Sequence, residues 1–405
     1  MNGAGAAPQP ARTLRVGIVA GEHSGDTLGA ALIDALRARV PHAEFFGVAG
    51  PKMQAAGCER WASSEELGVM GLAEVLSHLP RLLRLRAALL VRFRAARPDV
   101  FVGIDSPEFN LRLARGLKTA GIRTVQYVSP QVWAWRRGRV RTIGTACDLV
   151  LCLLPFETQF YEAHGVRSEF VGHPLADEIP LVSDKAAARA ALGLASDAPL
   201  VALLPGSRLD EVKRLAGPFA RAASLIRARR PEFRFVAPMA SPLTREAFAR
   251  EIAQLPAATD IHLIDGQAQR ALAACDAAIV ASGTAALETL LTGRPMVVAY
   301  RASTLTAFLV RAMGLVKVRY FSLPNLLAGR SVVPELLQEQ VTGPALAEAL
   351  LNELEDPQHV AELVSEFTAI HRTLRCGGAA RAAEAILACL PGASSGGGEQ
   401  HVAPR

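Results

Sequence analysis

At 405 residues the chain is long enough for two or three domains of about 150 residues each. Half of it is hydrophobic, which supports large cores, yet no run approaches the ~18 uninterrupted apolar residues of a membrane span. A net charge of +6 favours anionic partners such as nucleotides, phosphorylated substrates or an anionic membrane surface, whereas 5% aromatics and no lysine-rich tail speak against nucleic acid.

The first residues, "MNGAGAAPQPARTL", lack the charged and then apolar pattern of a secretory leader, so a cytosolic protein is expected. Six cysteines are scattered without C-x-x-C or zinc-finger spacing, which argues against a disulfide framework or a structural metal. Residues 1–13 and 391–405 are rich in Ala, Gly, Pro and Ser and read as disordered ends.

Between those ends, short apolar runs alternate with helical segments. Strands are predicted at 14–20, 44–50, 99–105, 123–128, 148–154 and 168–173, then at 200–207, 233–239, 261–265, 276–282 and 295–300. Nearly continuous apolar strands separated by helices predict a parallel sheet covered on both faces, and the pattern occurs twice. The fold class is α/β, with a first domain over 14–175, a linker over 176–198 and a second domain over 199–390. Past Tyr300 the pattern turns helical, apart from an expected loop at 320–330. Two doubly wound domains of this kind are expected to face a cleft at the carboxyl ends of their strands.

The turns after those strands carry the polar residues. The first, "AGEHSGD", places Gly21 and Gly25 for close backbone approach, and Ser24 and Asp26 at a helix start that favours a polar or anionic ligand. Glu22 and His23 are polar groups that the turn itself does not need. Between residues 65 and 99, Val69, Met70, Leu72, Val75, Leu76, Leu79, Leu82 and Leu83 lie beside Arg81, Arg84 and Arg92. That segment is either an amphipathic helix on the domain core or a basic, apolar lip for membrane or acyl chains.

Asp105 ends the third predicted strand in "GIDSPEFN". It is either the cap of the next helix or a carboxylate aimed at a substrate hydroxyl, with Glu108 or Asn110 assisting. In "QVWAWRRGRVR", Trp133 and Trp135 beside Arg136, Arg137, Arg139 and Arg141 form either an aromatic wall with a basic rim or a packed helix entry. In the second half, "LLPGSR" offers the amides of Gly206 and Ser207 and the Arg208 fork to a diphosphate. The turn "SGTAALE" presents Ser282, Gly283 and Thr284 at another helix start, with Glu288 placed to accept ribose hydroxyls.

In this order, "AGEHSGDTLGA", "EELGVMGLAEVL", "GIDSPEFN", "YVSPQVWAWRRGRV", "LPFE" with "VGHPLAD", "LLPGSR", "SGTAALE" and "SLPNLLAGR" resemble the lipid-A-disaccharide synthase family, family 19 of the glycosyltransferases, over roughly residues 14–390. The resemblance implies a GT-B fold of two Rossmann-like domains with C-terminal helices. It implies transfer of 2,3-diacylglucosamine from its UDP-activated form to 2,3-diacylglucosamine 1-phosphate, with inversion, giving the β(1→6) disaccharide 1-phosphate and UDP. Asp105 is then the leading base, with Glu22 beside it, and Arg208, Glu288 and Asn325 contact nucleotide. A homodimer is also implied, with the C-terminal part exchanged and Asn325 serving the partner's site. Peripheral attachment to the cytoplasmic face of the inner membrane follows as well. The family turn usually has a small residue where this chain has His23, which is therefore kept out of the catalytic set.

No Asp-x-Asp metal clamp stands at a turn, so helix N-termini and Arg208 are expected to act in place of a metal, with no cofactor. Two other readings remain at this point. A UDP-sugar 2-epimerase shares the architecture but has no use for the apolar lip. A nucleotide-binding or membrane-docking protein without catalysis leaves Glu22 and Asp105 without a shared purpose.

Overall fold

The computed structural model describes residues 13–67, 72–133, 137–194, 197–256, 260–302 and 319–391, with the side chains of 72–78 and 137 outside that description. The chain forms two compact units, one of residues 1–174 with 377–405 and the other of residues 175–376.

The first unit is built on seven parallel strands: β1 (Arg15–Ala20), β2 (Glu44–Ala49), β3 (Cys58–Ser63), β4 (Val100–Ile104), β5 (Arg123–Tyr127), β6 (Leu149–Cys152) and β7 (Ser168–Phe170). Their order is β3-β2-β1-β4-β5-β6-β7, so the winding reverses between β1 and β4. Strands β4 and β6 are buried at every residue, as expected when helices cover both faces. Alternate side chains serve the two faces: Val16, Ile18 and Ala20 of β1 enter one core, while Val19 enters the other.

The second unit repeats the plan with β8 (Leu200–Leu204), β9 (Arg234–Met239), β10 (Ile261–Asp265), β11 (Ala277–Ala281), β12 (Met296–Tyr300) and β13 (Glu335–Leu337). The order β10-β9-β8-β11-β12-β13 reverses between β8 and β11. Phe219, Phe235 and Phe248 are fully buried in its main core.

Two edge strands, β3 and β13, were not expected from the sequence. β3 reads Cys-Glu-Arg-Trp-Ala-Ser and pairs on one side only, so its polar residues meet solvent and the apolar signature is weak.

The domain boundaries also differ from expectation. The last helix, Gly378–Ala388, returns to the first unit, where Ala382, Ala383 and Ile386 join the core under helix His23–Arg39 and Glu384 pairs with Arg39 at 2.5 Å. The expected linker belongs to the second unit: in helix Lys185–Ala191, buried Arg189 donates to the Ala274 carbonyl at 2.9 Å and to Asp276 at 2.7 Å. The segment 320–330 is not a plain loop either. Ser322 caps a helix over Leu323–Ala328, and Ser322 Oγ donates to Glu335 at 2.5 Å.

Candidate active site

In a doubly wound sheet, the crevice lies where the strand order reverses, beyond the carboxyl ends of the strands. In the first unit those ends are Ala20 of β1 and Ile104 of β4, and they carry the turns holding Glu22, Ser24 and Asp105. The reversal, which the sequence does not state, brings these turns together.

Asp105 does not cap the following helix. The N-cap of Pro107–Lys118 is Ser106, and both residues adopt left-handed backbone, with φ of +52° at Asp105 and +38° at Ser106. Val128, just past β5, has φ of +73°. A non-glycine residue in this region costs about 1–3 kcal/mol, and for a β-branched valine the conformation is a true outlier. Gly21 makes the bend possible, because a Cβ there would lie 1.8 Å from Ser106 Oγ.

The Ser24 hydroxyl donates to Asp105 Oδ2 at 3.3 Å. Burial pushes the Asp105 carboxyl above the ordinary carboxylate range, the charge of Glu22 pushes it further, and the Ser24 hydrogen bond opposes both. A carboxylate raised in this way is a stronger proton acceptor once ionised. Glu22 is exposed, and its side chain makes no capping hydrogen bond.

Beside Asp105 opens a pocket of about 330 Å³, lined among others by Glu108, Val128, Ser129, Val132 and Arg139. The volume lies within the range of small-molecule sites. Arg139 and Glu108 form an ion pair of 2.5 Å at its rim. Trp133 is buried and donates its Nε1 proton to Glu157 at 3.1 Å, with Phe156 edge-on at 4.8 Å. It is therefore a packed support and not an exposed wall; Trp135 and Arg136 lie outside the described residues. Burial pushes the Glu157 carboxyl up to about 7, against hydrogen bonds from Leu154, Ser129 and Trp133.

Asp26, expected at the ligand, is held elsewhere. Its buried carboxylate accepts from the backbone N–H groups of Gly50, Lys52 and Met53 at 2.9, 2.9 and 3.0 Å, fixing the start of the helix after β2. With three backbone donors and its side chain buried, the carboxylate serves the fold here and is not presented to a ligand. Gly25, also expected there, is buried against Asp105, with a built Cβ 3.4 Å from Oδ2.

In the second unit, the reversal between β8 and β11 gathers Gly206–Arg208 and Ser282–Thr284. Arg208 is the N-cap of helix Leu209–Arg229, with its side chain 72% exposed and 3.8 Å from Glu211. Gly206 takes φ of +124°, and a Cβ there would strike Glu211. Gly283 takes φ of +144° before helix Thr284–Leu291. Ser282 Oγ donates to the Phe321 carbonyl at 3.3 Å, while Ser207, Gly283 and Thr284 are exposed. Glu288 is half-buried and accepts from Gln269 at 3.4 Å; burial raises its carboxyl, Gln269 opposes, and Glu178 adds to the rise.

Asn325 departs from expectation. It is fully buried, its Oδ1 accepts from the N–H groups of Val332 and Val333, and its Nδ2 donates to the Val333 carbonyl. In this structure it ties the 325–333 segment instead of presenting an amide to nucleotide.

On the membrane segment, helix Leu72–Ala96 leaves Leu79 and Leu83 about two-fifths exposed and Leu82 half-buried. Leu72, Val75 and Leu76 lie on this helix by their backbone, and Val69 and Met70 fall outside the described residues. Among the described residues, no three His, Cys, Asp or Glu side chains gather as a metal-ligand set, and no helix is long and apolar enough to cross a membrane.

No residue pattern singles out Ser129, which lines the pocket, whereas Gln126 is legible as a polar residue in a strand buried at four of its five positions.

The chain matches the family model described as Lipid-A-disaccharide synthetase over residues 16–386. The chain belongs to that family. The lipid-A-disaccharide synthase of Alkalilimnicola ehrlichii is 53% identical over 384 residues, covering 94% of this chain and 100% of that protein. The enzyme of the same name from Serratia proteamaculans is 52% identical over 376 residues, covering 93% and 98%. Among solved structures, the glycotransferase of kitacinnamycin aligns with a TM-score of 0.62 at 19% identity, covering 94% of this chain and 100% of that one. A putative UDP-N-acetylglucosamine 2-epimerase from Listeria monocytogenes aligns with a TM-score of 0.62 at 15% identity, covering 93% and 95%. Likeness at such identity establishes the fold, which is of the GT-B type, and does not choose between transferase and epimerase. Family membership makes that choice in favour of the transferase.

Proposed function

We propose that the chain transfers 2,3-diacylglucosamine from its UDP-activated form to 2,3-diacylglucosamine 1-phosphate, giving the β(1→6) disaccharide 1-phosphate and UDP. The observation that carries the mechanism is Asp105, held in a left-handed turn beside the pocket with its carboxyl raised by burial. The acceptor 6-hydroxyl gives its proton to the Asp105 carboxylate, and its oxygen attacks the anomeric carbon from the face opposite UDP. The bond from that carbon to the diphosphate oxygen breaks, and UDP leaves with the electron pair, so the centre inverts. Arg208, the amides of Gly206 and Ser207, and the start of helix Thr284–Leu291 are the groups suited to the diphosphate. Glu288 is suited to the ribose. Such a set supports departure of UDP without a metal.

Exposed Leu79 and Leu83 among Arg81, Arg84 and Arg92 support peripheral attachment to an anionic inner-membrane surface on its cytoplasmic face. Exposed Tyr300 and Leu337 on the edge side of the second sheet support a homodimer.

The test is UDP release by the purified protein, with donor alone and then with acceptor. Release that depends on acceptor, together with a disaccharide product, is expected. Release from donor alone, or an epimerised donor, would defeat the reading.

A further inference from the structure

The turn that aims Asp105 brings backbone carbonyls at the ends of β1, β4 and β5 within reach of side-chain donors. Two buried amide side chains supply the donors. Asn110 Nδ2 lies 2.9 Å from the Asp105 carbonyl oxygen, 3.1 Å from that of Ile104 and 3.4 Å from that of Val19. Gln126 Nε2 lies 3.2 Å from the same Asp105 oxygen and 3.3 Å from those of Tyr127 and Val128. Asn110 is fully buried and Gln126 is 1% exposed.

The two amides thus converge on one atom, the Asp105 carbonyl oxygen: Asn110 from the helix after β4, Gln126 from β5. The Asp105 N–H is itself fixed to the Tyr127 carbonyl at 3.2 Å. Both peptide groups of the strained residue are therefore anchored. Left-handed backbone at non-glycine residues persists only where the surroundings over-determine it, and these amides make up that surrounding for Asp105 and Val128. Their placement is not incidental to packing. Gly103 leaves the space that Asn110 occupies, since a Cβ there would lie 2.8 Å from Asn110 Cβ. Asn110 Oδ1 has no partner among the described residues, so the amide is oriented by what its nitrogen gives to the carbonyls.

The geometry points to Asn110 and Gln126 as positioning residues for the transfer: a two-amide clasp on the Asp105 carbonyl that holds the catalytic carboxylate and the Val128 wall of the pocket in one arrangement. Neither amide is placed to touch substrate. Each acts through the backbone of Asp105, and the inference rests on the reading of Asp105 as the base.

The test compares Gln126→Leu, Asn110→Ala and Asn110→Asp with the parent chain, each alone and combined with Asp105→Asn, by kcat and donor KM with both substrates. Gln126→Leu and Asn110→Ala are expected to lower kcat by about 10- to 100-fold, the scale of a misplaced reacting group, with donor KM within about two-fold because the diphosphate groups are elsewhere. In the Asp105→Asn background the further loss is expected to vanish, because an amide that works only through the carboxylate has nothing left to position. Asn110→Asp can donate to the carbonyls only when protonated, so its kcat relative to the parent is expected to rise as pH falls from 8 to 6.

Equal proportional losses with and without the Asp105 carboxylate would overturn the clasp, as would unchanged kcat in the single variants. If Asp105→Asn itself leaves kcat unchanged, the reading of Asp105 fails and the clasp fails with it; a large Asp105→Asn loss beside a normal Gln126→Leu enzyme sinks the clasp alone. Should Gln126→Leu not fold, Gln126→Met takes its place. If that variant and Asn110→Ala both unfold while Asp105→Asn stays folded, the amides serve the fold only and the inference is wrong.

Discussion

Ser24 and Asp105 meet at 3.3 Å although 81 residues of chain separate them. One stands on the turn after β1 and the other at the end of β4, and the reversal of strand order makes these two ends neighbours. The hydroxyl favours the charged form of a carboxylate that burial and Glu22 push toward the neutral one.

Asp105→Asn keeps a residue type that tolerates left-handed backbone and removes the proton acceptor. The expected result is a kcat lower by about 10² or more with donor binding nearly intact, and a melting temperature no lower than the parent's, since an ionisable group disfavoured by burial has been removed. Steady-state kinetics and a thermal melt check both. Loss of donor affinity at normal kcat would mean that Asp105 binds instead of accepting a proton.

Glu22 and Ser24 are expected to move the acidic limb of the pH–rate profile in opposite directions. The base must be ionised, so activity falls as pH drops through the raised pKa of Asp105. Glu22→Gln removes a neighbouring negative charge, lowers that pKa and carries activity to lower pH. Ser24→Ala removes a bond to the charged form and shifts the limb upward. Profiles of kcat/KM over pH 4–8 decide; two shifts of the same sign would contradict the assignment.

Arg208→Ala is expected to weaken UDP binding by about 10- to 100-fold, the range for a charge-assisted bond, and Arg208→Lys to recover part of it, because the planar fork is lost. The Glu211 pair at 3.8 Å to a largely exposed guanidinium is weak, so Glu211→Gln should change UDP affinity by no more than a few-fold. Calorimetric titration with UDP measures all three.

Glu157 makes stability depend on pH. Its folded pKa of about 7 exceeds the unfolded value of about 4.3, so the folded state holds more protons between them, and stability falls as pH rises across that window. Above about pH 7 the loss is complete. The melting temperature of Glu157→Gln relative to the parent is therefore expected to be more favourable at pH 8 than at pH 5. A difference that does not vary with pH would place the titration elsewhere.

Activity is expected to survive EDTA, with the cationic and amide groups of the second unit serving the diphosphate. Abolition by chelation and rescue by Mg²⁺ would refute this.

Local features are legible in the residues alone. Apolar β-branched runs with helices between them gave the central strands of both sheets, and polar residues at strand ends marked the turns that carry Asp105, Arg208 and Glu288. The sequence also carried the family, through the order of its turns. Which turns meet is set by strand order and packing. Ser24 and Asp26 look alike as short polar residues on one turn, yet Ser24 reaches Asp105 while Asp26 is taken by the amides of Gly50, Lys52 and Met53. Asn325, in a segment that reads as an open loop, is likewise absorbed by Val332 and Val333. Helix Gly378–Ala388 follows the second unit in sequence but buries its alanines in the first. In each case the local pattern states that a group is polar or apolar, and strand order and packing decide which partner reaches it first. A buried polar group binds whatever donor the fold brings within about 3 Å, and that distance is set by residues far away in the chain.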